Sequence, residues 1–70
     1  MALSKERLEK FVTLRNKSGF SSNIQFMLDA NECGFKTDDL GKAKRLDEAT
    51  YEWSTPFGKL IEDQGQLRLI

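Results

Sequence analysis

Apolar positions in the first third of the chain recur at helical spacing. Leu8, Phe11, Val12 and Leu14 give one broad apolar face, with Lys5, Glu6, Glu9, Lys10 and Arg15 on the side expected to meet water. Ser4 suits the N-cap, where its hydroxyl accepts a bond from an otherwise orphaned backbone N–H. Leu3 and Leu8 flank that cap as a hydrophobic staple. The run Asn16-Lys17-Ser18-Gly19 stops the helix. A second helix is expected from Ser21 or Ser22, where Ser22 and Gln25 match a capping box. Ile24, Phe26, Met27, Leu28, Ala30 and Cys33 make it the most apolar helix and place it at the centre of the core. Gly34 ends it, and Phe35 follows where a C-terminal apolar contact falls.

Beyond Thr37 the spacing predicts a third helix. Asp38 and Asp39 would lie in its first turn, at the positive end of the helix dipole. Leu40, Ala43, Leu46, Ala49 and Thr50 recur near helical spacing, and Trp53 falls at its end. Gly41 costs this helix about 1 kcal/mol relative to Ala, so a break or late start there is an alternative. Ser54-Thr55-Pro56 is a clear breaker. After it, residues 57–70 read as two short strands joined by the Gly-containing turn at 63–66. A helix opening at Pro56 is the rival, disfavoured by Gly58. The expected architecture is α+β: three small helices packed as a single core with a C-terminal β-hairpin, winged-helix-like in outline.

Composition narrows the class. Seventy residues make one domain, 1–70, and the single Cys and absent His exclude an intrachain disulfide and a zinc site of Cys and His. Seven aromatic residues and zero net charge oppose disorder. Neither the apolar core of a secretory signal nor a membrane-spanning run is present, so a soluble cytoplasmic protein is expected. The eleven basic and eleven acidic side chains are not evenly mixed. Residues 1–20 carry five basic and two acidic groups; residues 21–41 carry four acidic and one basic. Lys42, Lys44 and Arg45 then add three positives, and Asp47, Glu48 and Glu52 offset them. The plain consequence is a solvated, mixed-sign surface; the other is a local potential that the total hides.

Within residues 26–45, Ala30 is a small residue inside a helix, Gly34 follows four positions later, and Cys33, Phe35, Leu40 and Ala43 bracket the turn. This stretch resembles the helix-turn-helix pattern of DNA-binding regulators. The resemblance implies a small DNA-binding transcriptional regulator of helix-turn-helix or winged-helix type, acting on duplex DNA as a homodimer. Lys42, Lys44 and Arg45 would contact phosphate, Lys36 would sit at the turn, and Lys59 and Arg68 would lie on the wing. The sequence departs from the pattern at Asp29, where an apolar residue is usual. Asp38 and Asp39 also place carboxylates where a recognition helix meets phosphates.

Other constellations carry less. Asp29, Asn31 and Gly34 open like a calcium loop, but Cys33 and Leu40 stand where oxygen ligands are required. Cys33 has no His to activate it and reads as a small buried apolar residue. The carboxylate pairs Asp38–Asp39, Asp47–Glu48 and Glu62–Asp63 diverge from one another, so no enzyme, cofactor, metal or small-molecule substrate is expected. Tyr51, Trp53 and Phe57 cluster around Pro56, and such aromatics are enriched in binding hot spots. The alternative function is therefore a small protein-interaction module, an adaptor or inhibitor of a larger partner, that uses this corner and binds neither nucleic acid nor membrane.

Overall fold

The structure is a computed structural model that describes residues 3–18 and 23–70. Two helices, α1 (Lys5–Ser18) and α2 (Asn23–Glu32), are followed by a single 3-10 turn, Thr37–Leu40, and four strands. The strands are β1 (Lys44–Asp47), β2 (Thr50–Thr55), β3 (Gly58–Asp63) and β4 (Gln66–Leu69). They form one antiparallel meander in the order β1-β2-β3-β4.

Helix α1 begins where its cap chemistry places it. The Arg7 N–H donates to Ser4 Oγ at 3.2 Å, and Leu3 and Leu8 are both buried beside it. Helix α2 ends in a Schellman arrangement: Phe35 N–H donates to Ala30 O at 3.1 Å and Gly34 N–H to Asn31 O at 3.0 Å. Gly34 has φ +96°, the left-handed backbone that this cap requires, and Phe35 is buried as its apolar contact. The expected start of α2 at Ser21 or Ser22 lies outside the described residues.

The three-helix core with a hairpin cap is corrected to two helices over a four-stranded sheet; the α+β class is compatible with both. The third helix is replaced by the 3-10 turn and strands β1 and β2. Gly41, at φ +83°, ends the turn, and its N–H donates to Asp38 O at 3.1 Å. The helical spacing of Ala43, Leu46 and Ala49 has no core to serve, since all three are exposed. Residues 50–55 instead alternate, with Tyr51 and Trp53 toward the helices and Glu52 and Ser54 away, flanked by β-branched Thr50 and Thr55. Full antiparallel pairing with β3, from Thr50↔Asp63 to Thr55↔Gly58, outweighs the local helical signal. The strands expected within 57–70 are thus the second half of a larger sheet, not a separate wing.

One face of the sheet carries Tyr51, Trp53, Leu60, Leu67 and Leu69 into the core, against Leu8 and Phe11 of α1, Ala30 of α2, Cys33 just beyond it, and Phe35 and Leu40. Aromatic rings run through this layer. Phe11 meets Phe26 and Phe35 edge-on at centroid distances of 5.1 and 5.2 Å, and Phe26 stacks on Trp53 at 5.5 Å. Register places Lys44, Glu52, Ile61 and Arg68 in one row on the opposite face, which no helix covers.

Candidate functional site

Helix α2 is apolar on two sides. At about 100° per residue, Phe26, Ala30 and Cys33 fall on one side and Ile24, Met27 and Leu28 on the other. The first set packs into the core. The second set is exposed, by 71% at Ile24 and 54% at both Met27 and Leu28. Asn31 extends this stripe by a further turn and is also exposed, so the stripe carries no charge. Three large exposed apolar side chains thus stand together on neighbouring turns, and grouped exposed apolar surface is often functional. Leu46, Phe57 and Ile70 are also exposed, but they lie at separate places on the sheet and its turns.

The stripe is displayed on a helix held firmly from beneath. Arg15 of α1 and Asp29 of α2 are each only 2% exposed and form an ion pair at 3.1 Å. Gln25 Nε2 donates to the other Asp29 oxygen at 2.8 Å. The Arg15 guanidinium lies 5.0 Å from the Phe26 ring centroid, a cation–π distance, and 4.0 Å from Glu62 of β3. Asp29, out of pattern for a helix-turn-helix, is thus the acid that admits a buried arginine. Arg15, expected to face water, is interior. Both Asp29 oxygens are occupied by protein donors, which removes it as a calcium ligand.

The basic residues expected to contact DNA are spread over several surfaces. Lys36 precedes the 3-10 turn and Lys42 lies in the loop before β1; both are exposed. Lys44, Lys59 and Arg68 share the open face of the sheet, where Lys59 pairs with Glu52 at 3.4 Å. Arg45 lies on the helix-facing side of β1, and its Nε donates to Asp47 O at 3.1 Å. The helix that was to present several of them does not exist. Helix α1 packs against β4, at the far edge of the sheet from β1, and its Arg7 and Lys10 lie beside the C-terminal end of α2.

The aromatic corner is divided as well. Trp53 is 9% exposed and stacked on Phe26, Tyr51 is half-buried beside it, and only Phe57 stands exposed in the β2–β3 turn. Cys33 is a free, buried thiol whose pKa is raised mainly by desolvation, which opposes the nucleophilic thiolate form. Asp47, on the surface, has its carboxyl held below the ordinary value, chiefly by the Ala49 N–H that it accepts at 2.9 Å. Among the described residues there is no cluster of three or more metal-ligating side chains and no helix long and apolar enough to cross a membrane.

Sequence reasoning counted Ile24, Met27 and Leu28 as core because they are apolar and helical. Their angular separation from Phe26, Ala30 and Cys33 was the signal that a second surface is present. No family model matches the chain, and comparison with curated proteins and with solved structures yields no match either.

Proposed function

We propose that this chain is a small cytoplasmic protein-interaction module that docks on a larger protein through the outer face of α2. The observation that carries this reading is the uncharged stripe Ile24–Met27–Leu28, on a helix whose other face is already packed. An apolar helix face fits a hydrophobic groove of another protein, with anchors at i, i+3 and i+4. A heterologous groove suits it better than a second copy. Two flat stripes of three side chains would bury well below the roughly 800 Å² per partner of a stable interface, whereas a groove also encloses the flanks of the helix. The buried free thiol of Cys33 accords with a reducing compartment. Binding of duplex DNA is the competing reading, and it rests on the exposed Lys42, Lys44 and Arg45 without a recognition helix to present them.

A photo-crosslinking amino acid at Leu28, with one at exposed Lys17 of α1 as control, tests the reading in the producing cell. The expected result is one discrete adduct with a larger protein from position 28 and none from position 17. An adduct of twice the chain's own mass would replace the larger partner by a homodimer. Equal, diffuse labelling from both positions would sink the proposal. A parallel titration with random duplex DNA at low salt is expected to show no binding; binding that falls steeply with salt and disappears when Lys42, Lys44 and Arg45 become Ala would favour the nucleic-acid reading.

A further inference from the structure

The sheet has two edges, and they are finished differently. At β4, the Leu67 backbone points outward and is closed by one side chain from α1. Asn16 Nδ2 donates to Leu67 O at 2.9 Å, and Leu67 N–H donates to Asn16 Oδ1 at 2.7 Å. The Asn16 amide therefore takes the place that a neighbouring strand would fill. At β1 no such closure is present among the described residues. Antiparallel pairs alternate between bonded and non-bonded. Lys59 and Ile70 exchange both backbone bonds, so the alternation runs back through Leu60↔Trp53 to make Lys44↔Glu52 a bonded pair. Arg45 is then non-bonded, with its N–H and C=O directed out of the sheet edge.

Three basic side chains stand at this edge, with Asp47 at the end of β1 in the field of Arg45. Lys42 precedes β1, Lys44 stands on the open face and Arg45 on the helix side, and all are exposed. None of the three has a carboxylate within ion-pair distance among the described residues. Glu52, directly across from Lys44, is taken by Lys59 at 3.4 Å, and the Asp47 carboxylate turns back to Ala49 N–H. Leu46 adds an exposed apolar side chain at the irregularity between Arg45 and Asp47.

We propose that the β1 edge takes up an extended acidic segment of a partner protein as an added strand. Pairing would give the outward Arg45 backbone its partners, and two successive acidic side chains, which point to opposite faces of a strand, would reach Lys44 on one face and Arg45 on the other. A second copy fits poorly, because β1 against β1 brings like charges opposite one another. This surface is separate from the α2 stripe: loss of peptide binding here leaves a Leu28 adduct untouched, and loss of that adduct leaves peptide binding untouched.

The probe is a synthetic peptide of repeated Thr-Glu-Glu-Thr, which presents Glu on both faces of an added strand, titrated into the full chain with hydrogen exchange of the Arg45 amide as readout. The expected result is saturable protection of that amide. The same peptide with an N-methyl group on every residue keeps its charge but has no N–H to donate to either edge, and no protection is expected from it. A Lys44→Glu/Arg45→Glu double variant changes exposed side chains only. It is expected to keep its circular dichroism spectrum, to bind the acidic peptide roughly tenfold more weakly, and to accept the same peptide with Lys in place of Glu instead. Equal binding of the N-methylated peptide would overturn the proposal, since the attraction would then be charge without pairing. So would the absence of binding at millimolar peptide. Displacement of the peptide by random duplex DNA, with steep salt dependence, would overturn it in favour of a nucleic-acid surface.

Discussion

Asp29 is the residue on which most of the interior geometry turns. Its carboxylate anchors Arg15 at 3.1 Å and Gln25 at 2.8 Å, and it is the only acid among the fully buried residues described. Removing one member of such a pair strands a charge in the interior. Asp29→Ala is therefore expected to destabilise the chain by about 3–5 kcal/mol in urea denaturation, whereas the apolar pair Arg15→Met/Asp29→Leu is expected to cost far less. A double variant as unstable as the single one would show that Arg15 contributes through its other contacts. Cys33 gives a second test at this scale. Burial raises its pKa, so the neutral thiol is the folded form at neutral pH. A disulfide reagent such as DTNB should label it slowly in the folded chain and quickly in denaturant. Rapid labelling of the folded chain would contradict the burial of this helix end.

Among the elements, the strands and turns depend on a few positions with no tolerance. Gly58 has φ +128°, and a Cβ there would stand 2.6 Å from the Ile70 carbonyl oxygen. Gly58→Ala combines left-handed strain with a backbone clash, and a loss of more than about 1 kcal/mol is expected by thermal denaturation. The β1–β2 turn carries a pH signature. The Asp47 carboxyl has its folded pKa lowered by the Ala49 N–H and the Thr50 hydroxyl. Its support for the turn is present above the unfolded pKa and is lost as pH falls through the folded one. An NMR titration should show the Ala49 amide moving only at pH values below those of an unstructured Asp; an ordinary midpoint would remove Asp47 from the turn.

Helix α1 and the C-terminal cap of α2 were legible in the sequence because their signals are local: Ser4, the Leu3–Leu8 staple, Gly34 and Phe35. The region from Leu40 to Trp53 was not. Its spacing of three between Leu40, Ala43, Leu46 and Ala49 imitates a helix, and the sheet that claims it is held by pairing with neighbouring strands, from Asp47↔Thr50 out to Thr50↔Asp63. At helical spacing Tyr51 and Trp53 read as an aromatic corner with Phe57, although their alternation with Glu52 and Ser54 marks a strand with one buried face. Arg15 was assigned to water on charge alone; only its neighbour in space, Asp29, makes it an interior residue.

The whole molecule is compact without a partner. Its radius of gyration is 10.8 Å, against about 11 Å expected for a folded chain of this length. Its exposed features are therefore surfaces of a well-packed chain. Helices cover one face of the sheet, Asn16 closes one edge, and what stays open is the α2 stripe, the basic β1 edge and a mixed-charge sheet face. The zero total of charge takes a spatial form here. Arg15 and Asp29 cancel in the interior, Glu52 and Lys59 pair on the open face, and Lys42, Lys44 and Arg45 stand exposed at and before β1.

The most direct measurement combines Ile24→Glu with the crosslinker at Leu28, reading adduct yield and melting temperature in the same preparation. Ile24 is exposed, so the melting temperature should move by no more than a few degrees, as expected for a surface change of about 0.5 kcal/mol. The charge placed within the stripe should abolish the adduct with the larger protein. A persisting adduct at an unchanged melting temperature would contradict docking through this face, and a collapse of the fold would show that Ile24 belongs to the core.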